Sequence, residues 1–205
     1  YQSQDHSNVH RGIHTLSHRA TEVYEKSRQN ICEFINAKNT NEIIFTSGTT
    51  DSINLVANSY CKPKLDPSKK ILISHLEHHS NIVPWQLICE QTGASLIVAP
   101  IDNNGQIITE QLIGMIDSNV VLVAISHISN ALGSVTSLNK IIDAAHQHEV
   151  PVLVDGAQAV SHMKIDIQAL NADFYAFSGH KMLGPTGIGI LYGKEHLLED
   201  MPQYQ

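Results

Sequence analysis

Residues 171–193 read NADFYAFSGHKMLGPTGIGILYG. Phe174 to Phe177 form an apolar stretch suited to a strand buried on both faces. A small-residue turn follows, then Lys181, a glycine-rich loop, and a second apolar strand from Ile188 to Tyr192. Burial between strands disfavours an ammonium and favours the neutral amine. A neutral lysine amine is a nucleophile that forms Schiff bases with carbonyl compounds. Lys181 is therefore the first candidate for covalent chemistry; the plainer reading is a lysine that snorkels from a strand end into water.

Outward from this stretch, apolar strands alternate with amphipathic segments. Pro151–Val154 is a strand running into Asp155-Gly156-Ala157-Gln158. Val120–Ile125 is almost wholly apolar, as in a central parallel strand, and ends at Ser126-His127-Ile128-Ser129-Asn130. Leu96–Ala99, Ile71–Ile73 and Ile43–Phe45 read as further strands. Leu16, Ala20, Val23, Ser27, Ile31 and Phe34 recur at steps of three and four, which predicts a helix over 16–35. Further helices are expected over 51–60, 81–92, 109–116 and 137–148. Short connections in this order predict an α/β fold: a three-layer αβα sandwich around a mostly parallel sheet.

The composition agrees with one such domain. With 205 residues the chain is long enough for one sizeable core and too short for two large domains. A hydrophobic share of 42% against 16% charged is a globular balance that implies neither disorder nor a coiled coil. The formal net charge of −7 argues against nucleic-acid binding. No apolar run approaches the roughly 18 residues of a membrane span, and the polar start carries no signal peptide, so a cytoplasmic protein is expected. Cys32, Cys61 and Cys89 are too far apart for a disulfide framework or zinc knuckle and read as small buried hydrophobes. His6, His10, His14 and His18 recur every four residues, a spacing that stacks side chains on a helix and could suit a metal. Gly12 interrupts that run and no carboxylate or cysteine completes it, so no metal site is assigned.

In a parallel sheet of this kind, ligands bind at the carboxyl ends of the strands. Thr49, Thr50, His78, Asn130, Asp155, Gln158, Ser178, His180 and Lys181 all fall there. The turn Thr46-Ser47-Gly48-Thr49-Thr50, between a strand and a helix start, can hold an anion, or its hydroxyls can cap the helix. The Gly184–Gly189 loop has the spacing G-x-x-G-x-G and leads into a strand, unlike a dinucleotide fingerprint, and Gly48-Thr49-Thr50 lacks the P-loop lysine. Pyridoxal phosphate instead needs a lysine, a carboxylate for the pyridine nitrogen, an anion cup and a ring to stack on. Lys181, Asp155, the 46–50 turn and His78 supply one of each.

Five stretches carry a closer resemblance: His10–Ser17, Gly48-Thr49-Thr50, Glu77-His78-His79-Ser80-Asn81-Ile82-Val83-Pro84-Trp85, Val154–Gln158 and Ser178-Gly179-His180-Lys181. Together they resemble the class V aminotransferase-like group of fold-type I pyridoxal phosphate enzymes, and within it the group II cysteine desulfurases of the SUF sulfur-mobilisation system. The resemblance implies that residues 1–205 are the cofactor-binding large domain, cut at both ends and lacking the C-terminal small domain. It implies conversion of L-cysteine to L-alanine, with sulfur passed to an enzyme cysteine as persulfide for iron–sulfur cluster assembly.

The same resemblance implies that Lys181, His78 and Asp155 are catalytic. Lys181 would bind the cofactor aldehyde and move protons, Asp155 would pair with the pyridine nitrogen, and His78 would stack on the ring. Gln158 would bond the ring hydroxyl, and Thr49, Thr50, Ser178 and His180 would hold the phosphate. Asn130 would lie beside cofactor and substrate, and His10 and Arg11 near the site mouth or a subunit interface. A homodimer and a SUF acceptor protein are the implied partners. The persulfide cysteine and the carboxylate-binding arginine are expected outside this stretch, so the 205 residues alone should not turn over cysteine. The readings that compete are a selenocysteine lyase acting on L-selenocysteine, another class V enzyme and, in a different class, a histidine-rich metal-binding or scaffold protein.

Overall fold

The computed structural model describes residues 7–10, 12 and 14–203. Seven strands form one sheet: β1 (Ile43–Thr46), β2 (Lys70–Ser74), β3 (Ser95–Ala99), β4 (Val120–Ser126), β5 (Val152–Asp155), β6 (Phe174–Ser178) and β7 (Gly189–Gly193). Their spatial order is β1-β7-β6-β5-β4-β2-β3. β2 to β6 pair in parallel, while β7 runs antiparallel to both of its neighbours.

Side chains alternate along each strand, and that alternation builds two cores. Val123, Ile125, Val152, Val154, Tyr175 and Phe177 face one side, against α1 (Thr15–Phe34), α4 (Thr109–Gly114) and α5 (Leu138–Gln147). Leu122, Ala124, Leu153, Phe174 and Ala176 face the other, against α2 (Thr49–Leu55) and α3 (Val83–Thr92). The result is a three-layer αβα sandwich. Cys32, Cys61 and Cys89 are buried in it as free thiols.

Several local expectations change. The second helix starts at Thr49 and passes at Val56–Cys61 into a π-helical turn. The third begins at Val83, with Pro84 in its first turn, and a separate short turn covers His79–Asn81. Two short helices, α6 (Ile167–Leu170) and α7 (Glu195–Glu199), were too brief to show a periodicity. Of the histidine run, His14 caps α1, His10 hydrogen-bonds to Glu25 at 2.9 Å and His18 lies 3.3 Å from Glu22, while His6 is outside the described residues. Among the described residues no group of three or more histidines, cysteines or carboxylates comes together that could hold a metal, and no helix is long and apolar enough to cross a membrane.

The chain order positions the site. From β2 the chain steps outward to β3, then returns across β2 to β4 and continues to β5 and β6. Where the direction of growth reverses, a crevice opens at the carboxyl ends of the flanking strands. His78 follows β2 and Asn130 follows β4.

Candidate active site at the carboxyl ends of the strands

The glycines beside β7 bring two distant turns together. Gly189, the first residue of β7, pairs with both Thr46 on β1 and Ser178 on β6. A methyl on Gly189 would sit 2.4 Å from the Gly48 Cα, so only hydrogen allows this backbone approach. The 46–50 turn thereby abuts the 178–181 turn. There the Ser178 hydroxyl accepts the Thr49 amide at 2.7 Å and lies 2.6 Å from the Thr49 hydroxyl.

These turns wall a cleft of about 260 Å³. It is lined by Thr49, Thr50, His78, Asn130, Asp155, Gln158, Ser178, His180 and Lys181, so all nine residues singled out from the sequence converge on it. Ser80, Ser126, Ile128 and Ala157 also line it. All four stand in stretches singled out from the sequence, Ser126 as the polar end of an apolar strand, but none was given a role there. His10 is not a lining residue and is bonded to Glu25 on α1, and Arg11 is outside the described residues.

The lining is rich in polar side chains that the protein itself leaves unengaged. Among the described residues, the side chains of Thr50, Asn130, Gln158, His180 and Lys181 make no hydrogen bond to the protein. Asp155 is only 6% exposed, and its Oδ1 accepts the Ala157 amide at 2.9 Å, while Oδ2 has no protein donor. Burial raises the Asp155 carboxyl above its ordinary value; the Ala157 amide and the charges of Lys181 and His78 pull the other way. Among the described residues no buried side-chain oxygen is left without a partner, so Oδ2 is accessible from the cleft, where a ligand's donor can meet it.

Lys181 sits on the short turn Gly179–Met182 and is half-buried at the cleft wall, not enclosed between the strands as the sequence had implied. Strand β7 lies beside β6, and the glycine-rich loop that joins them runs over the surface, so the amine is offered to the cleft. His78 Nδ1 lies 2.7 Å from the Ser80 hydroxyl and accepts the Ser80 amide at 3.2 Å. An amide can only donate, so Nδ1 is the acceptor and the ring proton of the neutral imidazole sits on Nε2.

Compared with known proteins, a family profile described as aminotransferase class-V matches residues 1–205. A cysteine desulfurase of Escherichia coli (strain K12 / DH10B) is 52% identical over 197 residues, covering 96% of this chain and 48% of that protein. The solved structure of the cysteine desulfurase CsdA from Escherichia coli matches with a TM-score of 0.91 at 41% identity, covering 100% of this chain and 51% of that one. A variant of C-DES, with glycine covalently linked to its PLP cofactor, matches with a TM-score of 0.84 at 27% identity, covering 94% of this chain and 51% of that one. The chain spans about half the length of these relatives.

Proposed function

This chain belongs to the class-V aminotransferase family, and we propose that it is the cofactor-binding large domain of a cysteine desulfurase that uses pyridoxal phosphate. The observation that carries this reading is the cleft itself. Five polar side chains and one oxygen of a buried carboxylate face it without protein partners, in a donor and acceptor set that fits that cofactor. The similarity to cysteine desulfurases and to a PLP-bound relative supports it.

When bound, pyridoxal phosphate supplies an electron sink for charge that develops at a substrate carbon. Lys181 Nζ would hold the cofactor at its aldehyde and would serve as the base and acid that moves the substrate's proton. Asp155 Oδ2 would hold the proton on the pyridine nitrogen. His78 would cover the ring, Gln158 would bond its hydroxyl, and Thr49, Thr50, Ser178 and His180 would hold the phosphate. Asn130 orients the substrate.

The substrate is L-cysteine, with L-selenocysteine as the alternative that the same groups would accept. L-Alanine leaves as the sulfur bonds to an enzyme thiol, giving a persulfide. Cys32, Cys61 and Cys89 do not suit that step: all are buried, and burial raises each thiol pKa, whereas the attacking form is the thiolate. We place the reacting thiol in the part of its relatives' length that this chain does not span. By resemblance the whole enzyme is a cytoplasmic homodimer that hands sulfur to a SUF acceptor protein. Exposed Leu132, Val135 and Leu183, in the loops after β4 and β6, fit burial against a second copy.

The test is chemical. The chain is mixed with pyridoxal phosphate, reduced with borohydride and digested, and the labelled residue is read by mass spectrometry. Label on Lys181, absent from Lys181→Ala, is expected; a folded protein labelled only elsewhere, or not at all, would overturn the reading.

A further inference from the structure

Glu77 is a buried carboxylate that none of the roles above uses. It is 8% exposed, and three donors converge on it. Oε1 accepts from Ser74 Oγ at 2.5 Å, and Oε2 accepts from Ser126 Oγ at 2.6 Å and Asn81 Nδ2 at 2.7 Å. Ser74 ends β2, Ser126 ends β4 and lines the cleft, and Asn81 closes the short turn that begins after His78. Asn81 is fully buried and also accepts the Trp85 indole N–H of α3 at 2.9 Å. One carboxylate thus ties together two strand ends, the turn and the following helix.

We propose that Glu77 is a positioning residue, which locks the 78–81 turn to the ends of β2 and β4 and so fixes the orientation and tautomer of His78 at the cleft. The turn is the link. The Asn81 amide bonds the His78 carbonyl at 2.7 Å, and within the same turn the Ser80 amide bonds His78 Nδ1. With the turn held, Nδ1 accepts and Nε2–H is presented; with the turn loose, both tautomers become accessible. The Ser126 hydroxyl donates its hydrogen bond to Glu77, which leaves the Ser126 oxygen as an acceptor toward the cleft. Burying a carboxylate beside apolar strands is costly, and an apolar residue of similar volume is often neutral or better for stability, so the energetic gain is one of geometry. Burial raises this carboxyl, while the three hydrogen bonds oppose that shift.

What His78 is presented to rests on the functional reading above, so the test separates the two. Histidine 15N spectra of the ligand-free chain are recorded, with the His78 signal assigned by its loss in His78→Gln. Glu77→Ala is expected to move His78 Nδ1 from an acceptor shift toward the average of a free imidazole. It should also weaken pyridoxal phosphate binding about tenfold, the size expected from one lost positioned contact. A folded Glu77→Ala with an unmoved His78 signal would overturn the proposal. If Glu77→Ala does not fold, Asn81→Ser, which cuts the turn from the carboxylate and leaves both strand bonds, decides it by the same signal. A wild-type chain that binds no pyridoxal phosphate would remove the functional reading, while the His78 signal would still decide the role of Glu77.

Discussion

The Ser178 hydroxyl lies 2.6 Å from that of Thr49, although the two residues are 129 positions apart in the chain. This contact joins the start of α2 to the end of β6 and sets the cleft wall assigned to the phosphate. Both residues are buried, so removing the serine oxygen strands the Thr49 amide and hydroxyl. Ser178→Ala should destabilise the protein by about 1–3 kcal/mol and weaken pyridoxal phosphate binding about tenfold. Thermal unfolding and absorbance titration check the two effects; unchanged binding would show that this wall does not carry the phosphate.

Gly189 is where that contact depends on the absence of a side chain. The methyl of Gly189→Ala would meet Gly48 backbone at 2.4 Å, which no rotamer can relieve. Overpacking of this kind costs about 1–3 kcal/mol, or more when only backbone can yield. A fall in the unfolding midpoint, together with loss of cofactor binding, is expected. Gly133→Ala, with nothing within 4 Å of the added methyl but a positive φ of 70°, should cost about 1 kcal/mol and leave binding intact.

Asp155 should trade stability for chemistry. Burial raises its carboxyl, so the ligand-free fold carries an acid it disfavours ionised. Asp155→Asn keeps an oxygen for the Ala157 amide and removes the charge. At neutral pH the ligand-free variant should be as stable as wild type or gain on the order of 1 kcal/mol. In the whole enzyme its turnover should fall by about a hundredfold or more, because the pyridine proton is no longer held. A variant with normal turnover would take the electron-sink role away from Asp155.

Glu77 and His127 should give opposite pH dependences. Burial raises the Glu77 carboxyl from 4.5 to about 7, so its contribution to stability, complete below 4.5, is lost as pH rises to about 7. Burial lowers His127, whose Nδ1 lies 2.9 Å from the Tyr175 hydroxyl, from 6.5 to about 4. Its contribution, complete above 6.5, is lost as pH falls to about 4. Relative to wild type, Glu77→Gln should therefore gain stability as pH rises through this window, and His127→Gln should lose it, each by on the order of 3 kcal/mol. Denaturant unfolding across the window measures both differences; parallel curves for Glu77→Gln and wild type would contradict the assignment.

The layers and the cleft residues were legible for a local reason. A strand covered on both faces, such as Val120–Ile125, is apolar throughout, and a polar residue that follows it marks the strand's end. Listing those ends collected Thr49, His78, Asn130, Asp155 and Lys181 before any contact was known. The short helices α6 and α7 escaped because so few residues carry no repeat. Glu77 escaped because nothing in the sequence distinguishes a buried carboxylate from a solvated one; its partners, Ser74, Asn81 and Ser126, come from three separate elements.

The order of apolar and polar residues alone determined that a sheet lies between two helical layers and which side chains stand at its carboxyl edge, because burial periodicity is written within each segment. Tertiary structure alone decided that β7 runs antiparallel between β1 and β6, that Gly189 lets the 46–50 turn reach Ser178, and that Lys181 is partly buried at the cleft wall. The first two depend on β1 pairing with β7, between residues more than a hundred positions apart, and no local pattern encodes which distant edge a strand will choose.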